Sequence, residues 1–319
     1  MPARFVPYDQ TIAIPNVIVD GTANTSTILT LSHWRRSGTP EELASDTSAE
    51  IVFKYLDAPH LHVSTEAVSN NHFDEDGLIG VFAFTQPRIA LQHRALLIDA
   101  AAAGDFGVYK DRNAARIVFV ISAYADPETS PLPKSIFKLR YPDLSAELYR
   151  EALKVMPALL EDIQAFRTLW EEEDRKLTES EKLIENGIVT IEERPELDLA
   201  IVRYSENPAM ACHPFAIHTR TNRSRLLTLK AESVEFQYRY ESWVRMVSRR
   251  PALRIDLTPL AEQLTREDGK ANWVFEGVDA ISPRLYRKGE GVGVIGFERI
   301  VELLDRELRS GVPAWNPYE

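Results

Sequence analysis

Apolar, β-branched residues gather early in the chain in two short runs, Asn16-Val17-Ile18-Val19 and Thr27-Ile28-Leu29-Thr30-Leu31, and each run stops at a polar residue: Asp20 after the first, Ser32-His33 after the second. Runs without polar alternation predict buried strands of a parallel sheet, whose two faces are both covered. After Thr39 the period changes. Pro40 with Glu41 and Glu42 predicts a helical turn, and Ser48 to Leu56 a helix. LHVSTEAVS (61–69) reads as a third strand, SNNHFDEDG (69–77) as an acidic loop, and Leu78 to Phe84 as a short helix stopped before Pro87. Ile89 to Ala103 reads as a further helix ended by Gly104, whereas ARIVFVISAYA (115–125) fits a strand or a buried helix equally well.

A proline-bearing segment, DPETSPLPKS (126–135), interrupts the pattern. From Leu144 the residues Leu148, Ala152, Met156, Leu159, Ile163, Phe166 and Trp170 recur at three- and four-residue spacing, which predicts one long amphipathic helix. The charge run WEEEDRK (170–176) reads as a solvated helix face. Beyond Asn186 the text is α+β: LAIVRYS and LLTLKAESVEFQYRYE read as strands, and IGFERIVELLDREL as a closing helix. The expected architecture is therefore α/β, with a mostly parallel sheet and helices on both faces in 1–142, a connecting helical segment in 143–186, and a smaller α+β domain in 187–319.

Composition narrows the classes. With 319 residues, 44% of them hydrophobic, the chain can bury a substantial core. Its single cysteine, Cys212, excludes an internal disulfide and a zinc ribbon, which suits a reducing, cytoplasmic setting. Adjacent Cys212 and His213 do not define a nucleophile pair, since sequence neighbours seldom face each other. The first residues lack the apolar core of a signal peptide, and no stretch approaches the roughly 18 apolar residues of a membrane span, so no membrane partner is expected. A net charge of −11 repels polyanions and argues against long nucleic acid, while leaving a small anion or a homo-oligomeric partner open.

The acidic loop carries the chemistry. Residues two apart in an extended segment point the same way, so Asp74 and Asp76 can aim at one point with His72 beside them. Crowded carboxylates in a partly dry site need a neutralising cation, and an oxygen-plus-imidazole set suits a divalent metal. The plainer reading is a solvated turn with Asp76 capping the next helix. Asp20, His33 and Asp46 stand at strand ends or a helix start, and each alone has a structural explanation: a turn at Asp20-Gly21, a core histidine, an N-cap before Thr47 and Ser48. In an open α/β sheet, however, the carboxyl ends of the strands converge on one crevice, and the six together predict a two-metal site. Asp99 and Asp105, in LLIDAAAAGDFG, read as a helix end and a turn, or as acids behind the ligands.

These residues resemble the motifs of the DHH phosphoesterase superfamily. His72-x-Asp74-x-Asp76-Gly77 is similar to the family's first motif, VIVDGTAN with Asp20 to its second, LTLSHW with His33 to its third, and LASDTSAEIVFKYL with Asp46 to its fourth. The first motif follows the other three, which implies a circularly permuted arrangement within about residues 14–105. The resemblance implies a DHH-like metal-binding domain in which His72, Asp74, Asp76, Asp20, His33 and Asp46 ligate two ions, commonly manganese, with magnesium as the alternative. It also implies catalytic roles for Asp76, Asp74 and His33 on a small phosphorylated or nucleotide-like substrate. Ser32 and Trp34 depart from the family's Asp-His-His, and Trp34 takes the place of a histidine that meets the substrate phosphate in relatives.

Family members carry a second domain that clamps substrate with cationic side chains. CHPFAIHTRTNRSR (212–225) offers His213, His218, Arg220, Arg223 and Arg225, with His218, Arg220 and Arg223 the residues assigned to substrate; the plainer reading is a loop with balancing charges. GEGVGVIG (289–296) makes a poor phosphate loop. A metal-dependent hydrolase or lyase of a non-phosphate substrate, and a non-catalytic ligand-binding protein, stay open beside the phosphoesterase.

Overall fold

A computed structural model describes residues 3–205, 211–230, 233–269, 271–288 and 293–319. Its internal contacts divide the chain into two units, Met1–Lys176 and Leu177–Glu319, so the division falls inside the segment 143–186 that the sequence sets apart as a connector. GEGVGVIG lies partly outside the described residues.

The first unit is α/β. Strands β1 (Arg4–Phe5), β2 (Asn16–Val19), β3 (Thr27–Leu31) and β4 (Ala67–Ser69) form one sheet in the order β1-β4-β2-β3, with every pairing parallel. β2 is buried throughout, as its apolar text requires, and so is β4, but of the stretch 61–69 read as a strand only Ala67–Ser69 is one, and Leu61 ends a 3₁₀ turn at Pro59–Leu61. β3 departs from the expectation of full burial: it is an edge strand whose Ile28 is 47% exposed, and only its carboxyl end, Thr30 and Leu31, is buried. β1, at two residues, is too short to have a readable period.

Helix α1 (Ser48–Leu56) is capped by Thr47, whose hydroxyl accepts from Glu50 N, so the cap lies one residue after Asp46. α2 (Glu75–Thr85) starts earlier than the apolar text suggests, because Asp74 caps it by accepting from Gly77 N at 2.8 Å. The stretch read as one helix over 89–103 is two, α3 (Pro87–Gln92) and α4 (Arg94–Phe106), and the stop is Gly107 at φ +68° rather than Gly104. Gly104 serves a different need: a β-carbon there would lie 2.5 Å from Glu75 Cβ, so only glycine lets this turn of α4 approach α2 so closely.

The ambiguous segment is helix α5 (Arg112–Ala125), buried on so many sides that its period is hidden. The long amphipathic stretch is likewise two helices, α6 (Tyr141–Glu161) and α7 (Arg167–Glu185), parted at Asp162, whose carboxylate accepts from Gln164 N and opens a 3₁₀ turn at Ile163–Phe166. Within α6, Pro157 has no N–H to give the carbonyl four residues back, and Gln86 Nε2 donates to that Leu153 oxygen at 3.3 Å instead. The run 170–176 is solvated through Arg175–Glu172 and Lys176–Glu173 pairs, but Trp170 is buried under Arg116, and Asp174 accepts from Arg112 and Arg116 of α5.

The second unit is α+β. Strands β5 (Val189–Arg194), β6 (Leu199–Tyr204), β7 (Arg225–Lys230), β8 (Ser233–Tyr238), β10 (Asn272–Phe275) and β11 (Arg284–Lys288) form a sheet in the order β10-β11-β8-β7-β6-β5, antiparallel except between β6 and β7. A short helix α8 (Pro214–His218) lies between β6 and β7 in the chain, and β9 (Arg254–Ile255) pairs with β12 (Pro313–Trp315). Helices α9 (Thr258–Asp268) and α10 (Phe297–Ser310) give Leu260, Leu264, Ile300, Leu303 and Leu304 to the same core as Leu227, Phe236 and Trp273 of the sheet. Among the described residues, no helix is long and apolar enough to cross a membrane.

Candidate metal centre

The parallel sheet brings the predicted residues to one edge. β4, β2 and β3 are neighbours running the same way, so the segments after their carboxyl ends, at Asn70, Asp20 and Ser32, lie side by side. Asp20 follows the middle strand. Its two oxygens consequently serve both sides: Oδ2 is 3.4 Å from His72 Nε2, and Oδ1 is 3.4 Å from His33 Nε2. Asp20, His72 and Asp74 form one group of candidate ligand atoms, all within 4.8 Å of one another, and Asp20, His33 and Asp76 form a second. Asp20 sits at φ +50°, a left-handed conformation that a short polar side chain tolerates and that costs backbone energy.

Each side chain is held from behind. Asp20 Oδ1 accepts from Ser48 Oγ at 2.7 Å. Asp76 does not cap its own helix; it accepts from Ser48 N at 2.6 Å and Ala49 N at 2.8 Å, at the start of α1. The His33 Nδ1 contact with the main-chain carbonyl of Asp46, 2.5 Å, requires the proton on Nδ1 and leaves Nε2 facing the carboxylates. His72 N donates to Asn70 Oδ1, and its ring stacks on Trp34 with centroids 5.1 Å apart.

Burial divides the two groups. The side chains of His33, Asp76 and Asp20 are at most 1% exposed, whereas those of His72 and Asp74 are 22% and 30% exposed. The electrostatics follow from this. Burial and the nearby Asp20 charge push the Asp76 carboxyl up to about 7. Burial would lower His72, but the Asp74 and Asp20 carboxylates outweigh it and hold the imidazole up to about 11. Burial alone would raise Asp20, yet its contacts with His33 and His72 keep it well below the ordinary carboxylate range. Burial and neighbouring carboxylates also raise Asp74 and Asp105, so without a cation the crowded carboxyls are pushed toward the protonated form, a cost that a bound cation would relieve.

Asp46 belongs to neither group; its contribution to the cluster is the carbonyl that orients His33. Asp105 was legible only as a turn or a supporting acid, and the structure brings its Oδ2 to 3.5 Å from His33 Nε2. The signal for it was spacing: Leu97 and Ala101, each four residues apart on the buried face of α4, lead to position 105. Asp99 instead accepts from the main-chain N–H groups of Lys110 and Asp111.

The proposed substrate residues, apart from Trp34, lie in the second unit. Arg220 is near Glu185 at 3.8 Å, Arg223 pairs with Glu193 at 3.3 Å, and His218 ends α8. Arg225 is buried in β7 and donates to the carbonyls of Leu197 and Leu253, while His213 caps α8 through Phe215 N.

A family model described as "Family of unknown function (DUF6687)" matches residues 1–295. The chain belongs to that family. No curated protein matches it. The match takes in both candidate ligand groups as well as His218, Arg220 and Arg223.

Proposed function

We propose that the first unit is a metal-dependent hydrolase centre of the DHH phosphoesterase type, with permuted motifs, acting on a small phosphorylated or nucleotide-like molecule. The observation that carries this reading is the sharing of Asp20: one carboxylate on the middle strand serves two groups, each completed by one histidine and one aspartate. The donor set fits hard divalent cations, with manganese favoured and magnesium the alternative. His72, Asp74 and Asp20 would hold one ion, and His33, Asp76 and Asp20 the other.

Two bound ions roughly 3.5–4 Å apart would neutralise charge on a phosphoryl group and supply an acidified water for in-line attack. The chain itself provides position. Asp76 is pinned by two main-chain N–H groups and His33 by a carbonyl, so neither can swing away from the centre. Substrate access falls to the more open edge, where Asp74 and His72 keep contact with solvent. His218, Arg220 and Arg223 retain the role of anion-binding residues in this proposal, and Arg220→Ala is expected to raise KM about tenfold with kcat little changed, the signature of lost ground-state binding.

A second reading, a hydrolase or lyase of a non-phosphate substrate, is favoured by one feature: an indole, Trp34, stacks on His72 where family relatives offer a second histidine to phosphate. Metal-stripped protein given manganese and a panel of nucleotides and phosphosugars distinguishes the readings. Phosphate release that requires manganese is the expected result. Manganese binding with no release from any phosphate ester would favour the second reading, and absence of any manganese-induced rise in Tm would leave a ligand-binding protein.

A further inference from the structure

The candidate ligands follow β4, β2 and β3, but β4 has a second parallel neighbour, β1, on its other side. The chain leaving β1 and the chain leaving β4 therefore emerge at the same edge of the sheet as Asp20 and His33. The rule that places ligands outside the carboxyl ends of parallel strands applies to this second crevice as well. A cavity of about 380 Å³ lies there, a volume in the range of small-molecule sites. Phe5, Tyr8 and Gln10 from the first segment, Asn70 and Asn71 from the second, and Ala146 of α6 line it, all within the first unit.

Its walls are tied to the loops that carry the candidate ligands. The Tyr8 hydroxyl donates to the carbonyl of Thr22 at 2.8 Å, and Asn71 Oδ1 accepts from Thr22 N at 3.0 Å, so the position two residues after Asp20 is fastened through both of its main-chain groups. Asn70 Oδ1 accepts from His72 N at 3.1 Å. Asn70 is 2% exposed and its Nδ2 makes no hydrogen bond, which leaves a buried donor in the wall. A molecule filling the cavity would lie beside the loop of His72 and Asp74, the more open of the two groups.

The lining says what kind of molecule fits. Phe5, held by stacking on Tyr149 with centroids 4.7 Å apart, gives aromatic surface together with Tyr8. Arg150 is the one cation among the described lining residues, and it pairs with Glu147; Asp143 pairs with Arg140 at 3.1 Å, and Asp9 adds a further acid. No positive charge is left over for a second phosphate. Aromatic surface with amide groups suits an uncharged ring that carries hydrogen-bonding groups.

We infer that this cavity holds the uncharged ring, sugar or base, of an ester whose phosphoryl group reaches the metal centre, so that the protein prefers a monophosphate on such a ring to a polyphosphate or a phosphate without one. The inference rests on the phosphoesterase reading, and the test separates the two. Metal-free wild type is probed by saturation-transfer NMR with adenosine and with ribose, neither of which is charged. Saturable binding is expected and names the source of the ring: a base if only adenosine binds, a sugar if ribose suffices. Ala146→Leu, which fills the cavity, is expected to abolish it, and Gln10→Trp at the exposed rim repeats the test if α6 does not tolerate the larger side chain.

With manganese, the preference for the monophosphate of the bound ring over methyl phosphate is expected to fall about tenfold or more in either variant, through KM. Binding of neither probe by wild type, or equal binding by folded variants, would overturn the subsite, whereas the phosphoesterase reading would stand on manganese-dependent release from methyl phosphate. Ring binding by a protein that releases no phosphate with manganese would overturn the phosphoesterase reading and leave the cavity as a ring-binding site.

Discussion

Both units bury charged side chains, and they treat them in opposite ways. In the second unit Arg254 is fully buried, and every guanidinium nitrogen donates: Nε to Ser242 Oγ, one terminal nitrogen to the carbonyls of Val278 and Ala280, the other to that of Ile281. Glu241 is met by opposite charge instead, from Arg239 at 2.7 Å and Arg249 at 3.3 Å, although its Oε2 accepts no hydrogen bond. In the first unit Asp20, Asp76 and Asp105 are buried beside one another, with His33 as their nearest shared partner, and Asp105 Oδ2 accepts no hydrogen bond. A buried charge matched by donors or by opposite charge belongs to the architecture; buried carboxyls crowded on one another with too little opposite charge are the arrangement a cation would relieve.

The strongest way to break this contrast is at its centre. Asp20→Asn removes the carboxylate common to both groups and is expected to reduce bound manganese from two ions to none, with metal-dependent turnover falling by about a thousandfold or more; metal analysis after dialysis reads the first and initial rates the second. Retention of both ions would show that the sharing of Asp20 has no chemical meaning.

Arg254→Met is the mirror experiment. It strips donors from three main-chain carbonyls and one hydroxyl and is expected to cost about 3–5 kcal/mol by denaturant unfolding, with manganese stoichiometry unchanged. A loss of metal with little loss of stability would invert the comparison.

A smaller effect is expected from pH. With Asp76 raised to about 7 from an unfolded value near 3.8, the folded metal-free protein holds more protons than the unfolded chain between those values, so this group's stabilising contribution is present below about pH 4 and is lost as pH rises to about 7. His72, raised to about 11, contributes stability that is complete below about pH 6.5 and fades as pH approaches 11. The metal-free Tm is therefore expected to fall between pH 5 and 9. Saturating manganese, which displaces these protons, should flatten or reverse the slope, and a scan of Tm against pH with and without metal checks it.

Least of all, Trp34→Ala removes the ring stacked on His72. It is expected to destabilise by about 0.5–1.5 kcal/mol and to weaken manganese binding only slightly, both readable from Tm and calorimetric titration.

Much of the first unit could be read from local text. An unbroken apolar run marked β2, the mixed stretch 61–69 marked β4 only at its end, and polar residues at the strand ends marked Asp20, His33 and the 72–76 loop as neighbours. Helix limits were less legible: Gly104 looked like a stop but is an interior contact, and Asp162 breaks an amphipathic stretch whose apolar spacing runs straight through it. Spacing records which face a residue occupies, whereas a close approach between helices depends on the partner's position.

The sequence by itself determined the strands, most helices and the residue types of the cluster, because burial preferences and capping act over a few neighbouring positions. Only the tertiary structure decided that Asp20 stands between two groups, that Asp46 meets His33 through its carbonyl, and that Asp105 arrives from a distant helix. Strand order and helix contact set those distances, and neither is written in the spacing of residues along the chain.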